Sequence, residues 1–218
     1  MELNYVSRKD FESKVLLFIE SLQKSDSKSE DVHWLLSGGL TPIPLYRKFR
    51  ELNFIWSRMH FWLADERCVE KSSDDSNERV IKEAIGHEIL SKAVFHSYPD
   101  GNPNDSALTY GKLLRNVKEF NMSILGIGED GHTASLFPGN YLGEYEDSPD
   151  VIAVFDSPKP PAERMSLSVN RINKSRNILF LATGDSKKRI VESVRSRDLR
   201  FPASYIHGIE RTEIFFTI

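Results

Sequence analysis

Apolar and amphipathic segments alternate along most of the chain. Short apolar runs predict strands at His33–Leu36, Met59–Leu63, Met122–Ile127, Val151–Phe155, Ile178–Ala182 and Ile214–Phe216. Amphipathic segments between several of them predict helices at Pro42–Leu52, Asn77–Ile85, Ser106–Phe120 and Ser186–Val194. Because parallel strands need crossover connections, this alternation predicts an α/β fold with three layers and a doubly wound, mainly parallel sheet.

Length and loop composition indicate the domain organisation. A chain of 218 residues lies within the range of one α/β domain. The stretches Tyr98–Asp105 and Pro138–Asp150 are rich in Pro, Gly, Asn and Asp, which predicts loops, and neither is long enough to be an interdomain linker. We therefore expect a single domain over residues 1–218.

The N-terminal segment Met1–Ser27 predicts a helix and not a targeting signal. Ser7 and Asp10 resemble a capping box, and apolar residues follow at helical spacing: Phe11, Val15, Phe18, Ile19 and Leu22. The cationic start, unbroken apolar stretch and cleavage site of a signal peptide are missing. A single cysteine, Cys68, excludes an internal disulfide framework and fits a reducing compartment. We expect a cytoplasmic protein.

The charge balance gives no overall field that would attract a polyanion. The 29 Lys and Arg residues oppose 32 Asp and Glu residues, for a net charge of -3 at pH 7. We therefore expect no nucleic-acid partner, and no membrane partner because no apolar run approaches the ~18 residues that span a bilayer. An anionic ligand would need a local cluster of cations. The sequence does not fix the oligomeric state, and a monomer fits it.

The first candidate site segment is a glycine loop at a strand end, where ligands bind in doubly wound sheets. It reads Ser37-Gly38-Gly39-Leu40-Thr41-Pro42, with Thr41 suited to an N-cap and Pro42 to the first helical position. Gly38 and Gly39 would let backbone N–H groups approach an anion at the helix N-terminus. The segment is a candidate phosphate-binding loop, and a plain strand-to-helix turn explains the same residues.

The second segment is the charged triplet Asp65-Glu66-Arg67, which ends a predicted strand. Asp65 could position a hydroxyl and Arg67 a phosphate, since guanidinium groups suit bidentate contacts to oxyanions; a solvated surface cluster is the alternative. Successive strand residues face opposite ways, so if Arg67 lines a cleft, Cys68 should not. We expect Cys68 to be a packed residue and not a catalytic thiol.

The third segment follows the predicted strand Met122–Ile127 and centres on His132. Gly126, Gly128 and Gly131 match G-x-G-x-x-G, but Pro138-Gly139 interrupts the following helix within about two turns, too early for a dinucleotide-binding unit. What remains is a histidine on a glycine loop with the carboxylate of Asp130 two residues earlier. Histidine is the usual general base near neutral pH. A loop-stabilising histidine is the alternative.

The fourth segment supplies two more cations. Arg164 begins an alternating stretch after Pro160-Pro161, and Lys187 opens a helix after the glycine turn at Gly184. Each could bind a phosphate or be ordinary surface charge. If the fold brings Arg164 and Lys187 close to the other segments, phosphate binding is favoured over ordinary surface charge.

Two other kinds of chemistry have no support in the sequence. The histidines show no H-x-x-x-H or comparable ligand spacing, so we expect no metal and no cofactor; they are His33, His60, His87, His96, His132 and His207. The G-x-S-x-G turn of a serine hydrolase is absent, although Ser135 lies near His132 in the sequence. Water is the expected nucleophile.

Together the four segments resemble the 6-phosphogluconolactonase family, whose pattern is roughly S-G-G-S-T-P, D-E-R-x-V-P with a later S-N, G-x-G-x-D-G-H-T-A-S-L-F-P, then P-x-x-R and a glycine-turn lysine. The matching segments occur here in that order: Ser37–Pro42, Asp65–Val69 with Ser76-Asn77, Gly126–Pro138, Pro161–Arg164 and Gly184–Lys187. The long block Asp130–Pro138 is the most specific. Departures include Leu40 for serine, Glu70 for proline and Lys188 for alanine.

The resemblance implies a Rossmann-like fold of the glucosamine-6-phosphate deaminase/lactonase type and hydrolysis of 6-phospho-D-glucono-1,5-lactone to 6-phosphogluconate. The related deaminases carry a glutamate where this chain has Phe137 and usually a tyrosine at Arg67, which favours the lactonase. A non-catalytic sugar-phosphate sensor is the other alternative. The expected catalytic residues are His132 as base with Asp130 or Asp65 in support. The expected substrate-binding residues are Gly38, Gly39, Thr41, Arg67, Arg164 and Lys187.

Overall fold

The computed structural model describes residues 1–23 and 31–218. Its central sheet has the strand order β1-β10-β9-β6-β2-β3-β5, and all of these strands pair in parallel. They are β1 Glu2–Tyr5, β2 Val32–Leu36, β3 Met59–Leu63, β5 Val94–His96, β6 Phe120–Gly126, β9 Ser175–Thr183 and β10 Arg211–Thr217. The predicted α/β fold with a mainly parallel sheet is confirmed.

The core lies on both sides of this sheet. Residues 177–182 in β9 are all buried, as expected for a parallel strand that is covered on both faces. The largest side chains with almost no exposed surface include Trp34 and Trp62 on neighbouring strands β2 and β3. The helices are α1 Phe11–Gln23, α2 Ile43–Tyr46, α3 Asn77–Ile85, α4 His87–Leu90, α5 Pro103–Leu114, α6 Val169–Ile172 and α7 Lys188–Arg195.

A second, smaller sheet is antiparallel and has the order β4-β8-β7. Its strands are β4 Asp65–Arg67, β7 Val151–Val154 and β8 Arg164–Leu167. The apolar run predicted as a strand at Val151–Phe155 therefore forms β7 of this sheet and is not part of the main one. Only Ala64 separates β4 from β3, and its carbonyl accepts from the Leu167 N–H at 2.8 Å, so the small sheet is joined to the carboxyl edge of the large one.

Three predicted helices differ from those observed. The segment Pro42–Leu52 is broken into the single turn α2 and a 3-10 turn at Phe49–Glu51. The helix expected at Ser106–Phe120 is α5, which begins earlier because Asn102 caps it, and Phe120 instead starts β6. The helix expected at Ser186–Val194 is a 3-10 turn at Asp185–Lys187 followed by α7.

The N-terminal helix matches its prediction over the part that is described. The Ser7 hydroxyl accepts from the Asp10 N–H at 3.3 Å, and α1 follows directly. Residues 24–27 of the predicted segment lie outside the described residues. Across the described ranges, no helix is long and apolar enough to cross a membrane.

Candidate active site

A cavity of about 410 Å³ opens where β2, β4, β6 and β9 end. Eight of the nine predicted site residues line it: Gly38, Gly39, Thr41, Asp65, Arg67, His132, Arg164 and Lys187. The ninth, Asp130, contacts the His132 imidazole. Segments that lie up to 150 residues apart in the chain thus meet at one edge of the sheet, as expected for a doubly wound fold.

Three residues on adjoining elements hold the glycine loop in place. The Tyr46 hydroxyl donates to the Ser37 carbonyl at 2.9 Å, and the Thr41 and Thr183 hydroxyls lie 3.3 Å apart. A Cβ on Gly38 would lie 1.9 Å from Asn77 Oδ1, so only glycine allows α3 to approach this closely. The expectation that Thr41 caps the next helix is wrong, since Pro42 occupies the N-cap position and α2 has four residues.

The imidazole of His132 faces the cavity and is held from behind by Asp130. Asp130 Oδ1 contacts His132 Nδ1 and also accepts from the His132 backbone N–H at 3.2 Å. Burial opposes ionisation of Asp130, but the hydrogen bonds and charge of His132 outweigh it and lower the Asp130 pKa to about 2. An ionised Asp130 accepts a hydrogen bond from Nδ1–H of the neutral imidazole. Nε2 then carries no proton, and its lone pair is available for proton transfer.

The backbone around this pair is too tight for larger residues. A Cβ on Gly128 would lie 2.0 Å from His132 Nδ1 and 2.6 Å from Asp130 Oδ1. Gly131 has φ +77°, and a Cβ there would lie 2.7 Å from Phe201. The Phe137 ring packs 4.9 Å from the imidazole, centroid to centroid. Gly128 therefore leaves room for the imidazole and its carboxylate partner, and Gly131 leaves room for Phe201.

Asp65 lines the cavity and belongs to a buried polar network. Its Oδ2 accepts from the Ser135 hydroxyl at 2.6 Å, and its Oδ1 lies 3.3 Å from Asn77 Nδ2. Ser135 Oγ is also 3.5 Å from an Arg164 guanidinium nitrogen. The imidazole of His132 therefore contacts Asp130, whereas Asp65 bonds Ser135 and Asn77.

Glu66 is buried and holds the start of α3 beneath the cavity. Its carboxylate accepts from the Asn77 and Glu78 backbone N–H groups at 2.7 Å each, and from its neighbour Arg67 N–H at 2.7 Å. Burial raises the pKa of Glu66, while these N–H donors act against the shift. Glu66 therefore fixes the position of Asn77, which lines the cavity.

The predicted cations converge on the cavity from three elements. Arg67 and Arg164 stand directly opposite each other in the β4–β8 ladder. Arg67 donates to the Asp75 carbonyl at 2.7 Å, and Lys187 Nζ donates to the Ile127 carbonyl at 2.6 Å. Burial lowers the pKa of both Arg164 and Lys187. Like charges placed opposite each other are unfavourable in a sheet, so this arrangement favours an anion between them.

Cys68 lies outside this cavity, as the alternation of β4 predicts. Its Sγ lies 3.2 Å from Met165 Sδ, and it packs against the core. Burial raises the pKa of the Cys68 thiol, so the reactive thiolate is disfavoured.

Several cavity-lining residues carried no functional assignment from sequence reasoning. Glu129 and Thr183 directly adjoin predicted motifs, so their position alone was a usable signal. Leu40, which is 95% exposed at the rim, lies inside the glycine loop, and Lys159 directly precedes Pro160-Pro161, but neither side chain was given a function. Within residues 1–23 and 31–218, no group of three or more His, Cys, Asp or Glu side chains is arranged to hold a metal ion.

Known proteins with similar sequences and structures share this architecture. The chain matches the family described as glucosamine-6-phosphate isomerases/6-phosphogluconolactonase over residues 10–215. A 6-phosphogluconolactonase of Thermotoga maritima is 34% identical over 210 residues, which cover 89% of this chain and 88% of the relative. One of Mycobacterium leprae is 32% identical over 210 residues, covering 88% and 85%. The crystal structure of the Thermotoga maritima 6-phosphogluconolactonase matches with a TM-score of 0.88 at 29% identity, covering 100% of this chain and 99% of that one.

Proposed function

Since this chain belongs to the glucosamine-6-phosphate isomerase/6-phosphogluconolactonase family, we propose that it hydrolyses 6-phospho-D-glucono-1,5-lactone to 6-phosphogluconate with His132 as the general base. The activity is that of a carboxylic ester hydrolase in the oxidative branch of the pentose phosphate pathway. The observation that carries the assignment of the base is the His132 imidazole on the cavity wall, with Asp130 on its Nδ1.

The residue at position 137 supports lactone hydrolysis over deamination. Deaminases of this fold group resemble the chain around His132 but carry a glutamate where Phe137 stands. Phe137 is 2% exposed, packs on the imidazole, and lies 5.6 Å beneath the Arg164 guanidinium. An apolar ring cannot transfer the proton that ring opening needs, whereas it does not interfere with attack by water.

The reaction begins with a water molecule between His132 Nε2 and C1 of the lactone. Nε2 accepts a proton as the water oxygen bonds to C1, and the carbonyl π electrons move to its oxygen. When the tetrahedral intermediate collapses, the bond from C1 to the ring oxygen breaks, and the imidazolium returns the proton to that oxygen. The products are the open-chain acid and the neutral histidine.

Asp130 supports both proton transfers. As an acceptor for Nδ1–H it fixes the tautomer that leaves Nε2 free, and its negative charge stabilises the imidazolium that forms. Because the pKa of Asp130 is lowered to about 2, the carboxylate stays ionised at any pH above about 4. The second predicted supporting residue, Asp65, would act on a substrate hydroxyl or through Ser135.

Substrate binding uses the cations and the glycine loop. We assign Arg67, Arg164 and Lys187 to the phosphate or the sugar hydroxyls, because the opposed guanidinium groups need a compensating anion. Gly38, Gly39 and Thr41 line the same cavity, and we assign their backbone N–H groups to the anion as well. Holding the substrate at several points fixes C1 near His132, which converts the attack of water into an oriented step.

Purified protein tests this mechanism directly, with spontaneous lactone hydrolysis subtracted. Wild type should accelerate hydrolysis of the phosphorylated lactone, and His132→Gln should lose about 10²–10⁴ in kcat with little change in KM. Asp130→Asn should also lower kcat, because the amide permits the wrong tautomer. A wild-type rate equal to buffer would disprove the activity, and full activity of His132→Gln would disprove the assigned base.

The remaining assignments are proposals drawn from sequence. We assign residues 1–218 to one domain, which the direct connection between the two sheets supports. Cytoplasmic location and the absence of a nucleic-acid partner rest on the lone Cys68 and the net charge of -3.

A further inference from the structure

Lys159 is a fourth cation that lines the active-site cavity, and the mechanism above does not use it. It is exposed, in the loop between β7 and β8. Within the described part of the chain, its hydrogen bonds involve only its backbone, and its Nζ has no hydrogen bond or ion pair. Arg67 and Lys187 each already donate to a backbone carbonyl. Lys159 therefore keeps all three of its N–H donors for a ligand.

The backbone that carries Lys159 is fixed by the buried Arg164. Arg164 donates from one terminal nitrogen to the Lys159 carbonyl at 2.7 Å and from Nε to the Pro161 carbonyl at 3.0 Å. The Ser157 hydroxyl donates to the same Lys159 carbonyl at 2.9 Å. The guanidinium of Arg164, in a residue only 4% exposed, thus holds the loop on both sides of Pro160. The flexible part is the Lys159 side chain, which extends from a fixed base.

The charges around Lys159 favour an anion. Burial lowers the pKa of Lys187, and the positive charge of Lys159 adds to that effect, so the two ammonium groups lie within electrostatic range of each other. The nearby carboxylates of Glu129 and Asp130 act in the opposite direction on Lys187, and both have partners, Ser186 and His132. A dianion bound between the lysines would remove their repulsion.

We propose that Lys159 binds the phosphate of the substrate directly, and that Arg164 is a positioning residue that holds the Lys159 loop. The proposal rests on the proposed function. It narrows the role assigned above to Arg164: Lys159 and Lys187 would contact the phosphate, whereas two of the Arg164 nitrogens already donate to backbone carbonyls and hold the Lys159 loop. Lys159 would then select phosphorylated over unphosphorylated lactones.

The test compares Lys159→Met with Lys188→Met, which removes an exposed lysine outside the cavity. A hydrogen bond to a charged group is worth about 1.5–3 kcal/mol, so Lys159→Met should raise KM for the phosphorylated lactone about 10- to 100-fold, with kcat nearly unchanged. Inhibition by inorganic phosphate should weaken by a similar factor. Lys159→Arg should recover part of the affinity, and Lys188→Met should match wild type.

Variants at position 164 test the positioning role. Arg164→Lys keeps a positive charge but lacks the planar fork of donors that reaches the Lys159 and Pro161 carbonyls together, so it should raise KM, and adding Lys159→Met should raise it little further. Additive effects would contradict the positioning role.

The outcomes separate this inference from the proposed function. If wild type hydrolyses the lactone but Lys159→Met keeps its KM and its inhibition by phosphate, the inference is wrong and the function stands. A wild type without lactonase activity would remove the function itself. A Lys159→Met variant with lowered kcat and melting temperature would assign Lys159 to the fold instead, which also overturns the inference.

Discussion

The arrangement of His132 and Asp130 depends on the lack of a side chain at Gly128. A Cβ at this position would lie 2.0 Å from His132 Nδ1 and 2.2 Å from Cε1. A methyl carbon needs about 3.5 Å from its neighbours, so in Gly128→Ala the imidazole must move by roughly 1.5 Å. The Asp130 carboxylate oxygen, at 2.6 Å, must move as well. The substitution therefore displaces the proposed base and its partner together.

The expected effect on the rate follows from that displacement. A misplacement of about 1 Å can cost about 10²-fold, and complete loss of a positioned base costs about 10²–10⁴, so kcat should fall within that range. KM should change less than kcat, because Arg67 and Arg164 are held by the carbonyls of Asp75, Lys159 and Pro161, which lie outside the segment that carries His132. Initial rates of acid release from the phosphorylated lactone, corrected for spontaneous hydrolysis, measure both parameters.

Gly111→Ala is the matched control. Gly111 lies inside α5, and its added Cβ would meet only Val151 Cγ2, at an ordinary 3.8 Å. Alanine in a helix interior is favoured over glycine by about 0.5–1 kcal/mol, so this variant should keep full activity and equal or greater stability. If Gly128→Ala had the kcat of Gly111→Ala, the tight packing behind His132 would be irrelevant to catalysis and our mechanism would fail.

Two further predictions concern a buried hydrogen bond and two half-buried histidines. Ser135→Ala leaves the buried Asp65 Oδ2 without its hydrogen-bond donor, so it should lower the free energy of unfolding, measured in urea, by about 1–3 kcal/mol. The variant should keep most of kcat. Loss of all activity would instead indicate a serine nucleophile. Burial lowers the pKa of His33 and His96 from 6.5 to about 4, so between these values the unfolded chain binds more protons and stability should fall as pH falls from 6.5 to 4. His96→Gln should flatten this slope in thermal melts, and an unchanged slope would contradict the assignment of the pH dependence to His96.

Periodicity predicted the central strands because each is a continuous apolar run. The run at Met59–Leu63 forms β3 with the same bounds, and Asn77–Ile85 forms α3 with the same bounds, where Ser76 caps the helix. Strands at the sheet margins gave no such signal. Val94–His96 has only two consecutive apolar residues and Glu2–Tyr5 has no two in a row, so neither carries an apolar run long enough to predict a strand.

The segment after Thr41 shows why a continuous helix was the wrong prediction there. Apolar residues in Pro42–Leu52 are spaced as in an amphipathic helix, and Leu45, Tyr46 and Phe49 are indeed buried. Burial of these three needs the right spacing but not continuous hydrogen bonding. Two short turns place them in the core as well as one helix would, so the pattern could not distinguish the two.

The motifs predicted that the proposed catalytic residues lie together but did not separate their roles, and the two aspartates show why. Asp130 and Asp65 both adjoin glycine-rich or charged motifs, and either spacing allows contact with His132. Asp130 reaches the imidazole because a turn of two residues folds it back, which is a local property of the chain. Asp65 is engaged by Ser135, 70 positions away, and no local pattern encodes that pairing.

The role of Arg164 in substrate binding could not be predicted from the sequence either. From the sequence it is a cation at a strand start, equivalent to Arg67 or Lys187. In the fold it is 4% exposed, and its donors point back to the Lys159 and Pro161 carbonyls, so its charge and its hydrogen bonds act in different places. A cation whose donors are occupied still attracts an anion by its charge, but it has few hydrogen bonds left to donate to a ligand. The exposed Lys159, to which no motif assigned a function, is therefore the better candidate for direct contact with the phosphate.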